Sequence, residues 1–564
     1  MKKQIAGFLS LLFALSSLCS CSGLGGLFGD KGTEINGIKY ESVYSSKVGE
    51  SVSANESVNY VIDKDISGKN YIRLTLKTDV QLLGEYTYAN VDNPSKVATE
   101  EFFIEALDGE KEVEFKQFLD SYRKNAVGKF DKILKSIKLT NKSGVAGNVT
   151  LTSVSVSDRE FPTKNMMVYL EKGEMKIGAD LATGGSLSYL ERTSYMGKTV
   201  DEYIDEEGYV CYGVDKVEEA AQHLSSSVNL VNIYDAGRQI QQSYYANVGG
   251  DTVNANGANG YQRGYTYTGA VDGYYWPYNP VQAGDCADNP GQVIDFEVTK
   301  NYIYVKARAM DWGKGWKESW DAKYEKKAQE LGGWDKLGII KGGSTTKSYM
   351  ENWYRIENGM VVVDNTFIDW NGFTDMKDVP YHTNELPAVF VSQALDEFVC
   401  YEGAHPWTNG ELTYYTDVAS QLSDNHPSVH NHSEDWFAWV SDKNEGFGLG
   451  VYVAGVDYFT SGRPAPNSKK TTNKNYDALS APMVIDPELL SNKPAPTSPW
   501  TSCYVFNASY TAPVQFWTMR EYEKMKYSYA ISVDYINVMR QQFEQLSQQE
   551  KMKNELFAVW RANK

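Results

Sequence analysis

The chain has 564 residues and a formal net charge of −18, enough length for roughly two to four domains and an acidic surface that does not attract nucleic acid or other polyanions in bulk. Aromatic residues make up 13%, with 40 Tyr against 21 Phe and 13 Trp, a bias that suits half-buried sheet faces and polar ligands alike. None of the 6 Cys has CxxC spacing, which argues against a cysteine-based zinc site.

The chain opens with Lys2 and Lys3, followed by an apolar run from Ile5 to Leu18 that is too short to span a membrane. Leu18-Cys19-Ser20-Cys21 comes next. These residues resemble the bacterial lipobox, and the small Ser20 selects Cys21 over Cys19. The resemblance implies a signal peptide over 1–20, acylation of Cys21 and a lipid anchor in a bacterial membrane. The expected site is the outer membrane, facing the periplasm or the cell surface. Acyl chains would supply the anchoring energy, at about 0.8 kcal/mol per buried CH₂. Residues 21–34 are glycine-rich and are expected to be a flexible tether. Cys211, Cys286, Cys400 and Cys503 remain; one or two disulfides and buried free thiols both fit an oxidising compartment.

Residues 35–162 alternate apolar and polar side chains in Ser57–Ile62, Tyr71–Lys77, Lys135–Thr140 and Asn148–Val156, the pattern of strands with one solvated face. Val113 to Ile133 instead has helical spacing and is expected to be a short helix or insertion. The pattern resembles the jelly-roll sandwiches used as carbohydrate-binding modules, implying either a binding module or a structural spacer. A boundary is expected near Arg159–Lys164.

In the second part, 163–564, Met166–Leu170 and Glu174–Gly178 form an expected opening hairpin, and Gly184-Gly185 marks a sharp bend. The run Ile177-Gly178-Ala179-Asp180-Leu181, then Gly184-Gly185-Ser186-Leu187, then Asn229-Leu230-Val231-Asn232-Ile233-Tyr234-Asp235-Ala236-Gly237-Arg238 resembles the opening of galactose-mutarotase-like super-sandwich domains. That resemblance implies a large antiparallel β-sandwich with a glycan in a cleft on one sheet face. Further strands are expected at Val293–Val298 and Tyr302–Lys306. A hairpin is expected through Asn358-Gly359, and another pairs Trp436–Val440 with Gly446–Val453. Asp311–Leu337 suggests a short helix or lid, and residues 462–499 a surface loop. A C-terminal helix is expected, capped by Asp534 and striped by Ile536, Met539, Phe543, Leu546, Leu556 and Val559. The fold class is therefore mainly β: a jelly-roll-like sandwich, then a large antiparallel super-sandwich with a C-terminal helix.

No P-loop, dinucleotide glycine fingerprint, HExxH or GxSxG occurs. Candidate chemistry comes from four constellations. Asp235 and Arg238 could form an ionised pair that holds sugar hydroxyls or serves as a base; a structural salt bridge is the competing reading. Gln282, Gly284 and Asp285, with Trp276 upstream, offer an amide, close backbone approach, a carboxylate and a stacking ring; a tight turn competes. His382 and Glu385 lie between Pro380 and Pro387, and Glu385 is the leading catalytic carboxyl; satisfying buried backbone groups is the competing role. His430, His432 and Glu434 alternate and could hold a divalent metal from one strand face, although a solvated His-rich loop is favoured and no metal or other cofactor is expected.

The expected function is a lipid-anchored, glycan-active protein. The first reading is a glycoside hydrolase using Glu385 with Asp235 or Asp285. Arg238, Gln241 and Gln282 would hold hydroxyls, and Tyr244, Trp276 and Trp436 would stack on rings. The alternatives are a polysaccharide lyase with His382 or Tyr244 as base, and a non-catalytic glycan-binding lipoprotein of an uptake system. A carbohydrate is the expected partner, with the membrane reached through the lipid and no nucleic acid.

Overall fold

The computed structural model describes residues 33–105, 111–119, 132–162, 166–192, 202–204, 210–212, 229–231, 239–244, 280–284, 290–311, 345–369, 382–392, 395, 397–415, 428–440, 446–462, 508–517 and 523–554. Within them the fold consists of antiparallel strands in several sheets and one α-helix, Ile536–Ser547.

Two sheets enclose the first core. One is six-stranded and runs Thr33–Ile35, Ile38–Ser45, Gly147–Ser157, Tyr71–Thr78, Lys111–Phe118, with Glu50–Val52 also on Gly147–Ser157. The other runs Ser57–Asp65, Lys132–Asn141, Leu82–Asn90, Val97–Ile104. Their inward residues, among them Leu74, Leu76, Tyr86, Phe102, Ile137 and Leu151, form one buried cluster. The expected helix from Val113 is a strand where it is described: Lys111–Phe118 pairs along its whole length with Tyr71–Thr78. Phe115 joins the sandwich core, whereas Phe118 packs on Tyr71 and Tyr40 in a separate cluster. Burial on both faces spaces apolar residues three apart and so imitates a helix. Residues 120–131 lie outside the described ones.

The second core is larger. Met167–Lys172, Met175–Asp180 and Ser186–Arg192 form a three-stranded sheet, opening with the expected hairpin. A 15-stranded sheet supplies the rest. Its path begins at Thr413–Tyr415 and Glu397–Cys400, continues through Trp436–Val440, Phe447–Tyr452, Glu523–Tyr535, Met360–Asp369, Thr345–Glu357 and Tyr302–Asp311, and reaches Pro280–Val281 and Gln241–Ser243. It ends through His382–Ser392, Ala508–Trp517, Tyr458–Gly462 and Ser428–His430. The path closes on itself: His430, at one end, stacks on Phe398 and meets Tyr415 edge-on, at the other, with ring centroids 4.4 and 4.2 Å apart. Between the two halves lies a core containing Ile240, Leu386, Val389, Val391, Phe459, Val363, Phe437, Trp439 and Ile531.

Local sequence explains the sharpest turns. Asn358 and Gly359 take φ of 52° and 76°, the left-handed pair a two-residue hairpin needs, between Thr345–Glu357 and Met360–Asp369. Gly184 and Gly185 have φ of 62° and 68° and form the expected bend. The C-terminal helix buries Met539, Phe543 and Leu546 against the outward face of the sheet, on Trp436, Ala438, Tyr452 and Ala530. Its N-cap is Tyr535, not Asp534. The Asp534 carboxylate is taken by an ion pair with Arg192 and by the Tyr535 backbone N–H, at 2.8 Å. Leu556 and Val559 lie outside the described residues.

The two cores meet at a charged and aromatic joint. The Tyr71 hydroxyl donates to Asp295 at 2.7 Å, and the Arg159 guanidinium lies 4.8, 4.9 and 4.5 Å from the ring centres of Tyr71, Phe118 and Phe296. Burial pushes the Asp295 carboxyl above its ordinary range. Phe103 packs edge-on against Tyr349, and Lys524 pairs with Glu105.

Candidate functional site

The strand His382–Ser392 carries an irregularity that decides where Glu385 points. Glu385 pairs with Val514 and Val389 with Thr511, so four steps on one strand oppose three on the other. Pro387 sits inside this bulge and has no N–H to give the ladder. The extra residue reverses the alternation. Leu386, Val389 and Val391 face the core, whereas Ala388 and Phe390 belong to a separate cluster with Tyr510, Ala512 and Val514. Glu385, next to the inward Leu386, is thereby turned to the outward face with that second cluster.

On this face Glu385 is half-buried and accepts a hydrogen bond from the Tyr510 hydroxyl. Tyr510 and Phe390 pack with ring centroids 4.8 Å apart. Tyr458 stands on the next strand, paired with the same Val514 that pairs with Glu385. Burial pushes the Tyr458 phenol up to about 12, and the carboxylates of Asp457 and Glu385 push it the same way. The Asp457 backbone N–H donates to the Val514 carbonyl at 2.7 Å, just before the Tyr458–Gly462 strand. Glu385 therefore stands on the sheet face opposite the core, beside a pair of aromatic rings and a partly buried phenol. Such a group can transfer protons, attack or activate water, and stack on a sugar ring.

Several residues named from sequence do other work. Tyr244 is fully buried, stacks on Phe367 at 3.9 Å and donates to Gln242 Oε1 at 2.8 Å, so it is neither a sugar platform nor a lyase base. Gln241 is buried, and its side-chain oxygen accepts from the Ala283 N–H at 2.8 Å. Gln282 is buried and donates to the Gly184 carbonyl at 2.9 Å. Trp436 is buried, donates to Glu434 at 2.7 Å and packs under Phe543. All four are buried and bonded to backbone or core groups. Alternation placed Trp436 on a strand, as it is, but could not say that both faces of the sheet are covered there.

The histidine set does not converge either. His430 Nε2 bonds Ser461 Oγ, His432 Nδ1 lies 3.4 Å from Asp435, and Glu434 is held by Arg540. Among the described residues no group of three or more His, Cys, Asp or Glu is placed to hold a metal ion. His382 pairs through its backbone with Trp517 at the start of a strand. The Gln241–Ser243 strand lies beside the Glu385 strand, with Ser243 opposite Glu385. Asp235, Arg238, Trp276, Asp285 and Cys21 lie outside the described residues, as do 312–344 and 463–500. Asp457, Tyr458, Tyr510 and Phe390 were missed. Their signal, the aromatics in Asp457-Tyr458-Phe459 and Ser509-Tyr510-Thr511, is indistinguishable from ordinary strand packing until the bulge is known.

No protein-family model and no curated protein sequence matches the chain. Among solved structures, a galactose mutarotase-like protein from Lactobacillus casei is 10% identical, with 65% of this chain and 99% of that one covered and a TM-score of 0.29. A galactose mutarotase related enzyme from Lactobacillus acidophilus is 9% identical over 65% and 97%, with a TM-score of 0.29. An alpha-mannosidase from Enterococcus faecalis is 8% identical over 86% and 46%, with a TM-score of 0.28. Scores this low say nothing of this chain's chemistry.

Proposed function

We propose that this chain is a lipid-anchored glycoside hydrolase, with Glu385 and Asp457 as its carboxyl pair on the outward face of the sheet. The observation that carries the reading is the Glu385 carboxylate held by the Tyr510 hydroxyl on the outward face, beside the Phe390–Tyr510 ring pair and with Tyr458 on the neighbouring strand. Glycoside hydrolysis needs a carboxylic acid to protonate the leaving oxygen. It also needs a carboxylate on the other side of the bond, to attack the anomeric carbon or activate a water. Tyr510 holds Glu385 in place through its hydroxyl. The anchor is Cys21, supported by the lipobox-like Leu18-Cys19-Ser20-Cys21, and the first sandwich serves as a spacer joined through Arg159, Tyr71 and Asp295.

The test is a polysaccharide panel incubated with the wild type, Glu385→Gln and Asp457→Asn, reading reducing-end release and binding. Loss of release in both variants with retained binding is expected. Equal release in all three proteins would remove the assignment. Binding without release by the wild type would make this a glycan-binding lipoprotein instead.

A further inference from the structure

In the other half of the same sheet, the segment between Glu397–Cys400 and Thr413–Tyr415 is a loop held in an uncommon conformation. Trp407 has φ of 63° and Asn409 has φ of 57°. Asn adopts the left-handed region readily, but a bulky residue such as Trp does so only where its surroundings impose it. Here they do. The Trp407 N–H donates to Glu434 Oε1 at 2.7 Å, and Glu434 is fully buried. Arg540 binds the same carboxylate at 2.6 and 3.0 Å and donates to the Gly410 carbonyl at 2.6 Å. The Tyr401 ring lies under the Arg540 guanidinium at 4.6 Å, and its hydroxyl donates to the His405 carbonyl at 2.9 Å. Gly403 and Gly410 both press against that ring, where a Cβ would come within 2.4 and 2.6 Å of its hydroxyl oxygen. The loop is thus wrapped round Tyr401 and pinned from beneath.

What this brace presents is polar and aromatic. His405, Thr408 and Asn409 are exposed, and the Trp407 ring is half-buried on the cluster under the C-terminal helix. A partly open indole beside an imidazole, a hydroxyl and an amide, all preorganised, matches a pyranose: an apolar ring face rimmed by hydroxyls. We propose that the 401–412 loop is a second, non-catalytic carbohydrate-binding surface, with Trp407 stacking on a sugar ring and Asn409 and Thr408 holding its hydroxyls. It lies with the helix cluster on the outward face of one half of the sheet, whereas Glu385 and Tyr510 lie on the outward face of the other half. It therefore serves to hold a long chain, not to cleave it. It shares with the preceding section only the class of ligand.

The experiment uses the full chain in detergent and an immobilised panel of starch, xylan, mannan, cellulose and mixed-linkage β-glucan. Wild type and Glu385→Gln should be retained equally on at least one polysaccharide. Trp407→Gly, which keeps the positive φ without strain, should weaken that retention about tenfold, and Trp407→Phe should restore most of it. Asn409→Gly removes the amide from a backbone position that glycine accepts, and should weaken retention without lowering the melting temperature. Retention by no polysaccharide overturns the proposal, and so does wild-type retention by both Trp407→Gly and Asn409→Gly. Loss of retention in Glu385→Gln alone would place binding at the other face and overturn it too. Retention that depends on Trp407 with no sugar released would support this surface while removing the hydrolase reading.

Discussion

The hydroxyl of Tyr510 reaches Glu385 along the outward face of the sheet, from a position opposite Phe390 to one opposite Val514. A phenol donating to a carboxylate fixes both its rotamer and the oxygen left for a substrate. Hydrogen bonds to charged groups contribute about 1.5–3 kcal/mol. Tyr510→Phe should therefore lower kcat about tenfold or more. The Tyr510→Phe/Glu385→Gln double variant should be no worse than Glu385→Gln alone, because the two act as one unit. Steady-state kinetics on whichever panel substrate is cleaved would check this. Full additivity of the two losses would show that Tyr510 does not act through Glu385.

The position of Glu385 also shows how far the sequence could be read. Strand periodicity located Ser57–Asp65, Tyr71–Thr78, Lys132–Asn141, Gly147–Ser157 and Tyr302–Asp311, and Asn358-Gly359 gave its hairpin outright, but Leu82–Asn90, Val97–Ile104, Tyr458–Gly462 and Ala508–Trp517 were not read and Lys111–Phe118 was read as a helix. In a regular strand, however, Glu385 shares a face with Val389 and Val391 and would point into the core. Only the extra residue around Pro387, visible as a register shift against Thr511 and Val514, turns it outward. Proline announces that a ladder bond is missing, but not on which strand face the consequence falls. Gln241, Gln282, Tyr244 and Trp436 misled for a related reason. Polar and amphipathic side chains in a fold covered on both sheet faces are consumed by backbone groups, such as the Ala283 N–H and the Gly184 carbonyl. Composition cannot distinguish an amide that binds a sugar from one that closes a turn.

The Glu434–Arg540 pair offers a measure of how much the C-terminal helix depends on polar contacts. Glu434 is completely buried and accepts from Arg540, the Trp436 indole and the Trp407 backbone. Removing one partner of such a pair leaves a desolvated charge, at a cost of about 3–5 kcal/mol. Arg540→Met and Glu434→Gln should each lower the denaturant midpoint by that order. The double variant should lose much less than the sum of the two. Additive losses would mean that the pair is not coupled.

His430 makes the fold acid-sensitive. Burial between Phe398 and Tyr415 pushes its pKa from 6.5 down to about 4, against a weaker upward pull from Glu402. The unfolded chain therefore takes up this proton first as pH falls. The stabilisation from a neutral, buried His430 is complete above about pH 6.5 and is lost progressively toward about pH 4. The described groups nearest the ring that titrate or donate are Glu402, Tyr415, Cys400 and Ser461. Thermal unfolding of the wild type and His430→Gln from pH 4 to 8 should converge at the acid end, with the wild type ahead near neutrality. A difference independent of pH would exclude this histidine as the source.

The Gly184-Gly185 bend allows strain to be separated from crowding. Gly184 has φ of 62°, and a Cβ there would lie 2.0 Å from the Gln282 carbonyl oxygen. That oxygen belongs to backbone whose N–H donates to the Gln242 carbonyl at 3.1 Å, while the Gln282 side chain donates to the Gly184 carbonyl. Gly173 has nearly the same φ, 64°, in the hairpin between Met167–Lys172 and Met175–Asp180, with nothing within 4 Å of its built Cβ. Gly173→Ala should therefore cost only the left-handed penalty, about 1–2 kcal/mol. Gly184→Ala should add an overpacking cost of about 1–3 kcal/mol to that. Denaturant midpoints of the two variants, compared at equal slope, isolate the difference. Equal losses would mean that the Gln282 segment yields to the new methyl. In that case the close approach at this bend would not be what keeps glycine there.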